Sequence, residues 1–343
     1  MPKGNILYLG SYGTGNHGDE ALLAATRNIL KAIRPGTVEK VLSRKPSLKS
    51  LQGLPVIYYG KQSPLKTMAN LMREFRSAEV LVLGGGGLFN DHFTGNLFYY
   101  GLPVFLARLL GLKVLFLGLG IGPFRKSWRR RVASWILACG HGLSVRDDTS
   151  IRELRGRAFK KARLGTDLAW SLDSVDGDEP PPGILISLRP WKHWPRKELL
   201  EHVLTLLDGL PSEFPLRLIA MDEYMDREIL EEVATAVADR RHVEWIAADQ
   251  MAIQGAFGAS QWVIAMRYHA ALFAARSGAA LHLIAYDSKL RSLAGDLGIA
   301  SVWTPGEVMC EPAFDCTTEE CLERLTSKTD IHMNLVRDVL ENS

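Results

Sequence analysis

Short apolar runs and amphipathic stretches alternate along most of this chain. "NILYLG" (5–10) precedes "DEALLAATRNILKAI" (19–33), and "AEVLVLGGGG" (78–87) precedes "NLFYYGLPVFLARLLG" (96–111). "KVLFLGLGIG" (113–122) precedes "SWRRRVASWILACG" (127–140), and "GLSVRD" (142–147) closes the series. Each short run is apolar at consecutive positions, so it predicts a strand buried on both faces. Such strands need helices on both sides, which predicts a parallel α/β sheet. At 171–183 the alternation stops: "SLDSVDGDEPPPG" is acidic, proline-rich and aperiodic, and reads as a linker. The pattern then restarts with "ILISLR" (184–189), "KELLEHVLTLLDGL" (197–210), "PLRLIAMD" (215–222), "DREILEEVATAVADR" (226–240), "QWVIAM" (261–266) and "AALFAARSG" (270–278).

The expected organisation is a Rossmann-like domain over 1–172, a linker over 173–183, a second Rossmann-like domain over 184–328, and a C-terminal helix over 329–343 that packs back across the hinge. Two doubly wound α/β domains facing each other would leave a cleft at the C-terminal ends of their strands, where such sheets bind ligands. A length of 343 residues suits two domains, and 47% hydrophobic with 23% charged residues suits a globular chain.

Charge and cysteine usage narrow the partners. The net charge of +3 and the lack of a long basic run argue against nucleic acid. One local cluster, "RKSWRRR" (125–131), leaves peripheral contact with an anionic membrane surface open beside a solvated helix face. Cys139, Cys310, Cys316 and Cys321 have no zinc-like spacing and fit a reducing compartment. The N-terminus runs straight into a strand, and the apolar stretch 97–122 is divided by Gly, Pro, Arg108 and Lys113. Both features predict a cytoplasmic chain without a signal peptide or membrane span, working at most at the inner face of the membrane.

Glycine-rich loops follow three strands of the first half. Gly13, Gly15 and Gly18 match G-x-G-x-x-G, but the motif starts several residues past the strand, and the next strand ends in Ser43 and Arg44 rather than an acid for a ribose. A nicotinamide or flavin site is therefore not expected. The same loop carries Asn16, His17 and Asp19, and "LGGGGLFND" (83–91) brings Gly85, Gly86, Asn90 and Asp91 to the corresponding position. These residues are expected to line the floor of an acceptor site, with Trp191 of "SLRPWKHW" as a stacking surface for a sugar.

Cations end several strands: Arg146, Arg189, Arg267 with His269, and Lys289 after "LHLIAYD". In a parallel sheet these ends share one edge, and guanidinium forks suit phosphate and carboxylate oxygens. Local ion pairing is the alternative for Arg146 (Asp147, Asp148) and Lys289 (Asp287). Arg267 has no acid nearby in sequence; the nearest before it is Asp249. Burying it unpaired would cost several kcal/mol, so a ligand is the expected partner.

The motifs "GNHGDEALL", "LGGGGLF", "GLGIGP", "SVRDDTS", "SLRPW", "MRYHAALFAA" and "AYDSK", in that order from about residue 5 to about 290, resemble the polysaccharide pyruvyl transferase family, and its CsaB-type members in particular. The resemblance implies a GT-B-like architecture and an enzyme that sets the pyruvate of phosphoenolpyruvate as a cyclic ketal across two sugar hydroxyls, releasing phosphate. It implies a phosphoenolpyruvate site at Arg146, His269 and Lys289, with Arg267 beside them; Arg189, as a further strand-end cation, is the additional donor contact expected. Ketal formation needs a proton at C3 of phosphoenolpyruvate, and His269 is the expected general acid, switching to base for the second hydroxyl. For CsaB-type members the acceptor is N-acetylmannosamine of a lipid-linked secondary cell-wall polymer precursor, and the pyruvylated polymer anchors surface-layer proteins. No cofactor or metal is expected, because phosphoenolpyruvate is a co-substrate and cations neutralise it. Two alternatives stay open on the residues alone: a GT-B glycosyltransferase using a nucleotide sugar, and a non-catalytic glycan- or anion-binding protein.

Overall fold

A computed structural model describes residues 4–44, 50–59, 64–91, 95–172, 182–191, 194–247, 249–307 and 313–341. Most of the expected linker (173–181) and Cys310 lie outside the described residues. The chain divides into two compact units. The first comprises Met1–Thr14, Asp19–Leu172 and Leu325–Ser343, the second Gly15–Gly18 and Asp173–Arg324. Both are α/β with parallel sheets, the doubly wound Rossmann-like class the alternation predicts.

The strands of the first unit are β1 (Asn5–Leu9), β2 (Glu39–Ser43), β3 (Ser50–Leu51), β4 (Leu54–Tyr58), β5 (Ala78–Gly84), β6 (Lys113–Leu119), β7 (Gly142–Val145) and β8 (Arg163–Leu164). They lie in the order β3-β4-β2-β1-β5-β6-β7-β8, parallel except for the β3–β4 hairpin at one edge. The helices are α1 (His17–Ile33), α2 (Pro64–Ser77), α3 (Asn96–Leu109), α4 (Ser127–Ala138), α5 (Asp148–Glu153) and α6 (Gly156–Lys161). The run at 97–122 thus resolves into a helix and a buried strand, as its interruptions predict. Strand order reverses between β1 and β5, so the two glycine-rich loops that follow them flank the position where such sheets take ligands.

In the second unit, β9 (Gly183–Ser187), β10 (Leu216–Leu218), β11 (Val243–Trp245), β12 (Ser260–Ala265), β13 (Ala280–Ile284) and β14 (Val302–Trp303) form an all-parallel sheet ordered β11-β10-β9-β12-β13-β14. Its helices are α7 (Arg196–Asp208), α8 (Arg227–Val237), α9 (Gln250–Gly258), α10 (Tyr268–Arg276), α11 (Ser288–Leu297) and α12 (Glu319–Ser327), the last of which runs on into the first unit. Here the order reverses between β9 and β12, whose ends carry Arg189 on one side and Arg267 with His269 on the other. Every residue of β9 is buried, which explains its run of apolar side chains.

The last helix, α13 (Asp330–Leu340), belongs to the first unit and packs on β6 and β7. Its buried His332 donates from Nε2 to the Thr166 carbonyl at 2.9 Å and accepts at Nδ1 from the Ser144 hydroxyl at 2.8 Å. Lys113 reaches back to the Val339 carbonyl at 2.8 Å. Burial holds the His332 pKa down at about 4, so the folded protein keeps this imidazole neutral where an unfolded chain would protonate it. Stability from this group is complete above about pH 6.5, the unfolded value, and is lost as pH falls toward 4. The thermal midpoint of the first unit should therefore drop over that interval, and His332→Gln should flatten the drop. An unchanged slope in the variant would count against the assignment.

Candidate functional site

The second unit gathers most of the candidate donor residues at the β9/β12 switch point. Arg267 occupies the N-cap position of α10, directly after β12, in an extended conformation that turns the chain into the helix. Its guanidinium is buried and forks onto Asp226: Nε donates to Oδ2 at 2.9 Å, and Nη2 donates to Oδ1. Asp226 is completely buried and also accepts from the Asp222 amide at 2.9 Å. Burial pushes the Asp226 carboxyl above its ordinary range, and the Arg267 charge opposes that push. The expectation that Arg267 needs a ligand to balance it is thereby corrected. Its counter-charge comes from within the fold, 41 residues away in sequence, where the end of β10 leads into α8. The only trace of it in the sequence is the acidic cluster "MDEYMDRE" at a strand end, which the local spacing does not connect to Arg267.

The same acidic turn holds the segment 15–18, which groups with this unit although it follows the first strand. The His17 amide donates to the Met221 carbonyl at 2.8 Å, and Asn16 forms an antiparallel bridge with Asp222. Asn16 Oδ1 accepts from the Gly18 amide at 3.0 Å, so this side chain caps the start of α1. His17 is half-buried, and its Nε2 has no hydrogen-bond partner among the described residues. Burial lowers its pKa, while Glu223, Asp222 and Asp249 pull the other way. Expected as part of the first domain's acceptor floor, Asn16 and His17 instead sit beside the turn that secures Arg267.

His269 lies in the first turn of α10, with its ring against the backbone of Gly18. A Cβ built on Gly18 would overlap the imidazole at Nδ1 and Cγ. Gly18 is therefore required by close approach, not by backbone conformation. Gly18→Ala should keep the fold and displace the His269 ring, lowering kcat far more than it raises KM. A variant with normal turnover would show that the position of this ring is immaterial.

Arg189, after β9, donates from Nη1 to the Tyr286 hydroxyl at 2.9 Å and lies over the rings of Trp191 and Tyr286 at 5.3 and 5.0 Å. Its buried Nε has no hydrogen-bond partner among the described residues, and the same holds for Ser187 Oγ at the end of β9. Unpaired buried polar atoms are uncommon in folded proteins, and each calls for an explanation. Trp191 packs on Tyr286 with ring centroids 4.5 Å apart, so much of one ring face is covered from within the unit. Tyr286, which the sequence places inside "AYDSK" without marking it, is the side chain that joins Arg189 to the end of β13. Lys289 sits in the first turn of α11, where its amide donates to the capping carboxylate of Asp287 at 3.1 Å.

The first unit holds the remaining candidates. Arg146 ends β7 with its side chain buried, donating to Asp147 at 3.2 Å and to Asp167 at 3.1 Å. Pairing with Asp147 is the local alternative foreseen from the sequence; Asp167 is the partner that only the fold supplies. Although burial acts against it, the Arg146 charge and the hydroxyl and amide donors of Thr149 and Ser150 hold the Asp147 carboxyl below its ordinary range. At the β1/β5 switch point, Gly85 and Gly86 both adopt positive φ, 66° and 74°, and a Cβ on Gly86 would meet Asp19 Oδ1 at 3.4 Å. Asn90 donates to the Gly87 carbonyl at 2.6 Å. Asp91 accepts from the amides of Arg125 and Lys126 and pairs with Arg129 at 3.0 Å. Burial acts against it, but these donors hold its carboxyl below the usual range. Its oxygens tie the glycine loop to the start of α4.

The family model described as polysaccharide pyruvyl transferase matches residues 16–288. Among solved structures, the UDP-GlcNAc 2-epimerase of Neisseria meningitidis bound to UDP-GlcNAc aligns with a TM-score of 0.57 at 10% identity, covering 99% of this chain and 100% of that one. The UDP-GlcNAc 2-epimerase of Methanocaldococcus jannaschii gives 0.54 at 10% identity, covering 96% and 92%. Likeness at that identity speaks for the two-domain GT-B-type fold alone. No curated protein matches the chain.

Proposed function

The chain belongs to the polysaccharide pyruvyl transferase family, and from that premise we propose that it uses phosphoenolpyruvate to set a cyclic pyruvate ketal on a sugar, with His269 as the proton-transferring group. The observation that carries this reading is that Arg189, Arg267 and His269 follow the ends of the neighbouring strands β9 and β12, beside buried Arg189 Nε and Ser187 Oγ, which have no hydrogen-bond partner among the described residues. The α10 N-terminus adds its amides, which the Arg267 side chain does not cap, and helix N-terminal amides favour anions.

In the proposed reaction, protonation at C3 of phosphoenolpyruvate makes C2 electrophilic, and one sugar hydroxyl adds there. The second hydroxyl then bonds to C2 as the C2–O bond to phosphate breaks, giving the ketal and inorganic phosphate. An imidazole ring can both give and take a proton, so His269 gives the C3 proton and takes one from the first hydroxyl, while the second hydroxyl's proton leaves on phosphate. Arg189 and Lys289 hold the phosphate and carboxylate. Arg267, fixed by Asp226, sets the position of the helix that carries His269. Stabilising charge as phosphate leaves needs no metal or cofactor in this scheme.

For the acceptor we propose the glycine loops of the first unit, at Asp19, Gly85, Gly86 and Asn90. The motif set supports a CsaB-type acceptor, N-acetylmannosamine of a lipid-linked cell-wall polymer precursor, made at the cytoplasmic membrane face for surface-layer anchoring. Two measurements test the proposal together. Phosphoenolpyruvate, and not uridine diphosphate, should raise the thermal midpoint. Phosphate should appear only when phosphoenolpyruvate and a lipid-linked disaccharide bearing that sugar are both present. Protection by uridine diphosphate alone would favour a nucleotide-sugar transferase instead.

A further inference from the structure

Outside the candidate site, the first unit has an apolar and basic outer face whose residues its own core does not use. Strands β5, β6 and β7 are consecutive neighbours, and right-handed crossovers put α3 and α4 on the same side of the sheet. The helices lie close: a Cβ on Gly101 of α3 would come within 2.8 Å of Ile136 Cδ1 on α4. The inner faces carry Leu97, Val104 and Ala107 on α3 and Ala133, Ile136 and Leu137 on α4, all buried. The outer faces are not polar, as a solvated helix pair would have them. On α3, Phe98 (73% exposed), Leu102 (41%), Phe105 (50%) and Leu109 (72%) recur at helical spacing. On α4, Trp128 (49%), Val132 (38%) and Trp135 (60%) do the same.

Charge accompanies this apolar stripe. Between 96 and 163 the chain has fourteen arginines and lysines against three aspartates and glutamates, although the whole protein carries only +3. Arg131 on α4, and Arg157 and Lys160 on the adjoining α6, are exposed and have no carboxylate partner among the described residues. Phe159, 53% exposed, lies between the last two.

We propose that the α3–α4–α6 face binds an anionic lipid bilayer, with the aromatic and aliphatic stripe entering the interfacial layer and the basic side chains at the head groups. Large exposed apolar patches on soluble proteins mark interaction sites, and aromatic side chains interleaved with cations are the composition of interfacial membrane helices. A second copy of this chain is the poorer occupant, because a two-fold contact would set the same basic face against itself. α3 and α4 follow the glycine-rich loops after β5 and β6, so a sugar on a lipid carrier would be presented at their N-terminal ends. The inference does not depend on the donor chemistry.

The test is vesicle flotation with the intact protein. Vesicles containing phosphatidylglycerol should carry it up and phosphatidylcholine vesicles should not, with binding weakened by salt. Bromine-labelled lipids should quench its tryptophan fluorescence only in the anionic vesicles, a readout that needs no substitution. The double variants Phe105→Ser/Trp135→Ser and Arg131→Glu/Arg157→Glu should each lower the bound fraction about tenfold or more. Trp245→Ala, an exposed tryptophan on β11, should leave it unchanged. Turnover of a water-soluble acceptor should be the same in all of them, which separates loss of membrane binding from loss of catalysis. Failure of the unaltered protein to float with anionic vesicles overturns the proposal. So do double variants that bind as before, or a lipid-free dimer of the unaltered protein that these substitutions convert to monomer.

Discussion

His269→Ala is expected to lower kcat by about 10²- to 10⁴-fold, the usual loss when a positioned acid–base group is removed, while the protein melts close to its normal temperature. The side chain is only half-buried and its ring rests against the glycine backbone at Gly18, so its removal leaves no large hole in the core. Phosphate release from phosphoenolpyruvate, with acceptor supplied, gives the rate. The contact with Gly18 adds an internal check. If Gly18→Ala acts by moving this ring, it should cost little further activity once the imidazole is gone, and a double-mutant cycle should show strong non-additivity. A folded His269→Ala protein with near-normal turnover would remove the imidazole from the mechanism.

Asp226→Ala should give the largest loss of stability of any single change near the site. It removes both hydrogen-bond acceptors from the Arg267 fork and leaves a residue only 8% exposed with just the more distant Asp222 carboxylate, at 3.9 Å, as counter-charge. Breaking a buried pair on one side costs about 3–5 kcal/mol, most of it the penalty for the stranded charge. Urea unfolding followed through the second unit should show the loss, and Asp226→Ala/Arg267→Met should recover a large part of it. Activity should fall as well, because the turn that carries Asp226 also holds the segment with Asn16 and His17. If the single variant were as stable as the parent, the pair would not be the anchor inferred from its geometry.

The arginine pairs show where sequence reasoning runs out. Arg146 has its acids at the next two positions, and one of them, Asp147, does pair with it. Arg267 has none nearby, so spacing alone points to a ligand, yet its partner arrives from the end of a different strand. In a parallel sheet, strand ends that are far apart in the chain become neighbours, and an ion pair between them leaves no local periodicity to detect. The same reasoning covers Tyr286 beneath Arg189, Asp167 beside Arg146, and Gly18 against His269. A glycine inside a G-x-G-x-x-G pattern invites a phosphate-loop reading; here its small size makes room for an imidazole.

Repeated apolar runs and amphipathic stretches determined the fold class. Burial on both faces of a strand is a local property, written residue by residue, and it forces helices to cover the sheet. Order along the chain also placed the cations and the histidine at strand ends, and the motif set pointed to the family. Tertiary structure alone decided which carboxylates neutralise which arginines, that the segment 15–18 groups with the second unit, and that an aromatic, basic face of α3 and α4 stays outside the core. These are pairings across long chain separations and choices of which helix face turns inward. They are fixed by packing against elements that the local pattern does not contain.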